Sequence, residues 1–160
     1  MASAFDPSAF LDAQQTEVNE KRPALPTENP EDPNGCYTAV IGEIKMDGGT
    51  IGKGDRTGQP WISAIVPLRI QVPAAIQALG LPAELTLTDR AFLDLTATGG
   101  IDNSKGKNRA QKNYRDATGT NIAGEPFAWR QLQGKVVKVK VTHELYEGNL
   151  QERVGQVLAA

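Results

Sequence analysis

Five cations crowd one short stretch: Lys105, Lys107, Arg109, Lys112 and Arg115, with Tyr114 among them. Lysine and arginine neutralise phosphates and release counterions, an attraction that needs no base sequence. A second set emerges from strand alternation. Trp61 and Arg69 share one face of an apolar run, Arg90 and Phe92 share a face of the next, and Lys138 and Lys140 share a face of a valine-rich run. Aromatic rings stack on unpaired bases at roughly 1–3 kcal/mol per base. Aromatics interleaved with cations along one groove therefore suit a single nucleic-acid strand. The blander alternative buries Phe92 under a helix and leaves the lysines solvating an outer strand face. The basic run likewise either extends a phosphate track or is a solvated helix face.

Other chemistries find no assembled set of residues. Gly48 to Gly54 lacks the phosphate-loop spacing, with Gly54 where Ser or Thr would ligate magnesium, and Gly100 to Lys107 has one residue too many between its glycines. His143 and Cys36 are the sole histidine and cysteine, so neither a catalytic triad nor a usual zinc set can form. Asp89, Asp94 and Asp102 suggest a magnesium cluster, but Asp89 and Asp94 are five apart on one strand and face opposite sides. His143 reads as a structural residue at a strand end and Cys36 as a small strand residue. No catalytic residue, metal or cofactor is expected, and the chain does not read as an enzyme.

The elements that would position the basic and aromatic residues follow from periodicity. Cys36 to Met46 reads as the first strand, its apolar phase shifting at Gly42, which signals a bulge or bend. Asp47 to Gln59 is a glycine-rich hairpin loop. Trp61 to Val72 is the second strand, with Ile62, Ala64, Val66, Leu68 and Ile70 on one face. Pro67 there predicts an edge or a missing ladder partner. A short helix, Ala74 to Leu79, closes at Gly80. Ala83 to Thr96 is the third strand, its apolar face interrupted by Asp89. The basic helix follows, capped by Asn103 or Ser104 and stopped by Gly119, with Ala110, Tyr114 and Ala117 as a narrow apolar stripe. Gly134-Lys135 launches the fourth strand, Glu147-Gly148-Asn149 turns it, and Gln151 to Leu158 is the fifth. No internal repeat is evident.

Three strands, a helix and two strands predict a mainly β chain with the OB-fold arrangement, a five-stranded partly open antiparallel barrel with a helix between strands three and four. A jelly-roll-like sandwich, which would want eight strands, and an α+β sandwich are the alternatives. The length of 160 residues suits one domain. No apolar run approaches the roughly 20 residues of a membrane-spanning helix, and no secretory signal is evident at the N-terminus. One cysteine fits a reducing cytoplasm.

Residues 1–34 precede that domain, which is expected to occupy residues 35–160. They hold seven acids against Lys21 and Arg22, a net of −5, whereas the rest of the chain nets +3. Asp6 and Pro7 start a short helix ending near Gln15, with Phe5 and Phe10 at hydrophobic-staple spacing. Too short to stand alone in water, it must dock on its own domain, a neighbouring subunit or a partner. Pro23, Pro26, Pro30 and Pro33 then give an extended, semi-rigid linker.

Five blocks of sequence, MASAFDPSAFLDAQ, GCYTAVIGEIK, FLDLTATGGIDNSKGKN, YRDATGTN and PFAWRQLQGKVVKVKVTHELYEG, resemble a family of small tailed-phage proteins, some described as single-stranded DNA-binding proteins with an OB-fold. The resemblance covers most of the chain, and its motifs are structural rather than catalytic. It implies a protein of the host cytoplasm that coats single strands during phage DNA replication or recombination. Many such proteins end in an acidic, partner-recruiting tail. This sequence ends VGQVLAA, so if partners are recruited the acidic N-terminal arm is the substitute candidate. A homo-oligomer is compatible with the sequence. A virion structural role, such as capsid decoration, is the rival function, because the arm could clasp a neighbouring subunit.

Overall fold

The computed structural model describes residues 4–160. Six antiparallel strands form one open sheet: β1 (Tyr37–Ile41), β2 (Lys45–Thr50), β3 (Pro60–Gln71), β4 (Glu84–Phe92), β5 (Val136–Tyr146) and β6 (Asn149–Ala159). Two helices interrupt them, α1 (Ala74–Gln77) and α2 (Arg109–Thr118). The expected strand count of five is corrected to six, because the first predicted strand is cut in two.

The cut has a local cause. β3 pairs with β4 along one edge, while its other edge meets β2 from Pro60 to Ile65 and β1 from Leu68 to Ile70. Pro67 falls at the changeover. Its carbonyl accepts from Gly42 N–H at 2.8 Å, so its own nitrogen, which has no hydrogen to donate, faces the same gap. A side chain at Gly42 would lie 3.0 Å from the Pro67 ring. Gln133 fills the gap in the ladder, its Oε1 accepting from Ile44 N–H at 2.9 Å. Pro67 thus falls between the β1 and β2 registers on one edge, where only its carbonyl is bonded, while on the other it sits in register with Thr88.

β1 continues into β5 and β5 into β6. β4 and β6 approach each other, but no ladder among the described residues joins them, so the sheet stays open. The β5–β6 turn is a two-residue hairpin in which Glu147 and Gly148 have φ of 50° and 77°, the geometry that matches strand twist.

The core follows the predicted alternation. Tyr37, Ala39 and Ile41, then Ala64, Val66, Leu68 and Ile70, then Val137, Val139 and Val141 are all buried on one face. α2 packs its Gln111, Tyr114 and Ala117 against β4, β5 and β6. Asp89, which broke the apolar face of its strand, accepts from the Tyr114 hydroxyl at 2.6 Å and so fixes the helix to the sheet. The buried Gln111 takes the Trp129 indole N–H at 2.9 Å. α2 begins at Arg109, later than its expected caps. Asn108, in left-handed backbone at φ 53°, spends its side chain on the Asp94 and Asp102 backbones rather than on the helix end. Gly119 ends the helix at φ 70° as expected.

The N-terminal helix shrinks to a 3-10 turn, Pro7–Phe10, with Asp6 accepting from Ser8 N–H at 3.1 Å and Phe5 stacked 5.8 Å from Phe10. Everything from Ala4 to Pro23 is exposed. The proline-rich stretch is extended, but from Leu25 onward it is fastened to the sheet. Leu25 is wholly buried, its carbonyl meets His143 Nε2 at 2.6 Å, and the Tyr37 hydroxyl donates to Pro26 O at 2.7 Å. Burial, and then the Glu28 carboxylate, push the Tyr37 phenol up to about 12, so it stays a donor across the neutral range. His143 is thus structural, as expected, and it holds the arm.

Asp32 closes the arm with Lys138, 2.9 Å away. The hydrogen bond from Lys138, then that from the Cys36 N–H, hold the Asp32 carboxyl below its usual 3.8. A lowered folded pKa means the contribution is present above pH 3.8 and is lost as pH falls through the depressed value. Asp32→Asn is therefore expected to melt below the parent at neutral pH, with the difference vanishing in acid. Thermal melts of both proteins from about pH 7 down to about pH 2.5 check this, and a difference that persists undiminished in acid would contradict it.

Candidate nucleic-acid interface

The face of the sheet away from the core carries an aromatic platform. Trp61 on β3 and Phe92 on β4 lie diagonally across the strand pair, their ring centroids 6.0 Å apart and tilted by 54°. Phe92 is 61% exposed, which rules out the alternative that buried it under the helix. The indole lies close over Gly49 of β2, where an added Cβ would meet its Nε1 at 3.0 Å. Gly49 therefore leaves the room the ring occupies. Gly49 was expected in a glycine-rich hairpin loop, whereas β2 pairs residue by residue with β3 from Lys45 to Thr50.

Trp61 and Phe92 open onto a cleft of about 590 Å³ that Arg56, Arg90, Ile51 and Leu93 also line. Arg90 forms an exposed ion pair across the sheet with Asp47 Oδ2 at 3.2 Å and donates to Ser63 Oγ at 3.3 Å. Its side chain is still 44% exposed, so the head is positioned rather than hidden. Arg56 was not singled out in the sequence; only the folding back of its loop brings it to the cleft. Apolar walls, two rings and two guanidinium groups can stack a base and meet its phosphate.

The remaining expected site residues divide into separate groups. Arg69 lies eight residues along β3 from Trp61, roughly 26 Å at 3.3 Å per residue, and stands 3.9 Å from Glu84. Lys138 and Lys140 share a face of β5, as alternation requires. Lys138 is neutralised by Asp32, and the Asn29–Asp32 turn of the arm lies with it around a small pocket. That segment occupies the Lys138 end of the groove expected to run from Trp61 to the lysines. The sequence could not show this, because the arm and β5 are over a hundred positions apart. Lys140 is exposed and forms no ion pair among the described residues.

The basic helix cations form a third group. Lys107 and Arg109 are exposed at the start of α2, and Lys112 pairs with Asp116 at 2.6 Å one turn on. Arg115 is half-buried, with its guanidinium carbon 4.5 Å from the Phe127 ring centre, within cation–π range. Among the described residues no group of three or more His, Cys, Asp or Glu side chains is placed to hold a metal ion. Among the described residues no helix is long and apolar enough to cross a membrane. No protein-family model matches the chain, and neither does any curated protein.

Proposed function

We propose that this chain is a bacteriophage protein without enzymatic activity that coats single-stranded DNA, in a sequence-tolerant way, during replication or recombination in the host cytoplasm. The observation that carries the reading is the outward-facing pair of half-buried Trp61 and exposed Phe92 on an open cleft that Arg90 and Arg56 also line. Exposed rings beside fixed cations satisfy both requirements of a single strand, a stacking surface for unpaired bases and a countercharge for the backbone. The connectivity supports an OB-type arrangement. β1 and β2 act as one bent strand serving both β3 and β5, and α2 sits between β4 and β5 with its apolar side on the core. The resemblance to phage single-stranded DNA-binding proteins points the same way.

Fluorescence anisotropy of labelled oligo-dT across a salt series tests the proposal. Log affinity should fall linearly with log salt, with a slope of about −0.7 per phosphate neutralised. Arg90→Ala should flatten that slope by about one such increment. Absence of binding at low salt would sink the proposal.

One observation favours a virion structural role instead. The arm from Ala4 to Glu20 is exposed throughout and presents Phe5 at 79% and Phe10 at 65% exposure, a combination suited to clasping another protein. Mass spectrometry of purified particles separates the two readings, since stoichiometric presence in virions favours the structural one.

A further inference from the structure

Two cavities meet at Arg115, away from the Trp61 cleft. The larger, about 570 Å³, is walled by Ile44, Met46, Ile101 and Phe127, and Glu125 and Arg130 also line it. The smaller, about 280 Å³, is lined by Lys105, Lys107 and Lys112. Asn103, Gln111 and Arg115 line both. Lys105 and Lys107 form no ion pair among the described residues, whereas Lys112 already has Asp116. Arg115 is incompletely satisfied. Its Nη2 donates to Thr120 O at 3.2 Å, but its Nε is buried with no acceptor. A guanidinium normally spends its donors on acceptors when desolvated, so an orphaned one costs free energy that an acceptor reaching it would recover.

We propose that these neighbouring cavities form a nucleotide subsite that takes one nucleoside phosphate of the bound strand, its base in the larger cavity and its phosphate in the smaller. The chemistry is divided accordingly. Apolar walls and amide groups suit a flat heteroaromatic base, and the volume falls within the roughly 300–1,000 Å³ typical of ligand pockets. Lys105 and Lys107, which form no ion pair among the described residues, suit a phosphate beside a small polar recess, and Arg115 lines both cavities. The Leu95–Ile101 bridge joins this region to the Trp61 cleft, since Leu95 lines the cleft and Ile101 the larger cavity. A strand lying on the rings can therefore continue toward α2. The subsite rests on the strand-binding reading and extends it to the helix cations.

The test uses thymidine 5′-monophosphate, thymidine and inorganic phosphate, each titrated calorimetrically into the full-length protein, together with an oligo-dT salt series. The monophosphate is expected to bind at least about tenfold more tightly than either fragment. Arg115→Gln and the exposed Lys107→Glu should each weaken it about tenfold. Lys107→Glu guards against a folding defect in the Arg115 variant. If the site serves a strand, Lys107→Glu also flattens the oligo-dT salt slope by about 0.7. If it serves free nucleotide alone, the slope is unchanged and the assignment to the strand is overturned. A monophosphate that binds no better than its fragments, or that ignores both substitutions, overturns the subsite and leaves the Trp61 cleft untouched. Failure of oligo-dT to bind at all is a separate result: it removes the strand-binding reading and with it this role.

Discussion

Trp61→Ala is expected to weaken oligo-dT binding by about fivefold to a hundredfold, the equivalent of one lost base stack at roughly 1–3 kcal/mol. Phe92→Ala should cost a similar amount. The rings are in contact at 6.0 Å, so the double variant should deviate from additivity, because removing one ring also removes part of the surface that holds the other. Neither substitution opens a hole in the core: Phe92 is mostly exposed and Trp61 half-buried on the outer face. Melting temperatures should therefore stay close to the parent value, which separates a binding effect from an unfolding one. Unchanged oligo-dT affinity in both single variants, with the parent binding normally, would remove the cleft from the path of the strand. A Gly49→Val variant is a useful companion, since its side chain would displace the indole without removing it.

The second large effect is on stability and lies outside the domain boundary read from the sequence. Leu25→Ala is expected to cost about 2–5 kcal/mol, the usual range for truncating a fully buried leucine. In a chain of this size that lowers the melting temperature by roughly 5–15 °C. Leu25 is wholly buried in the same core cluster as Tyr37 and Val139, and its backbone is tied to His143 and to Glu152. The arm has a way to limit the loss: it can peel from the sheet and leave the remaining core intact. In that event the melting temperature falls less, and residues 21–35 become sensitive to protease. Deleting residues 1–20 should leave stability nearly unchanged, because that stretch is exposed where described. Full stability in Leu25→Ala, with no new protease sensitivity, would show that the arm contributes nothing to the folded domain.

Local pattern carried most of the fold. Period-two alternation gave the core faces of β3 and β5 correctly, because a strand half-buried in a sheet has no other way to sort its side chains. Gly42 and Pro67 both marked the break between β1 and β2, one by a change of apolar phase and the other by its missing N–H. The same alternation put Trp61, Arg90 and Phe92 on outward faces, so the components of the cleft were legible before their arrangement. Asp89 looked like a defect in its strand until α2 supplied the Tyr114 hydroxyl.

What escaped the sequence depended on distance along the chain. Whether Lys138 is free or neutralised depends on Asp32, and whether the arm is a linker or part of the core depends on Leu25 meeting β5. Residue type and spacing carry no information about which distant segment will arrive, because such contacts are decided by where closed loops can bury apolar surface. The basic helix shows the division most clearly. Its cations were evident from composition alone, but only tertiary packing set Arg115 against Phe127, left its Nε without an acceptor and opened two cavities on either side of it. The sequence by itself determined the alternating strands, the outward aromatic and basic side chains and the apolar side of α2. Only the tertiary structure decided which of those cations stay available, since neutralisation needs a partner brought within a few ångströms by the fold.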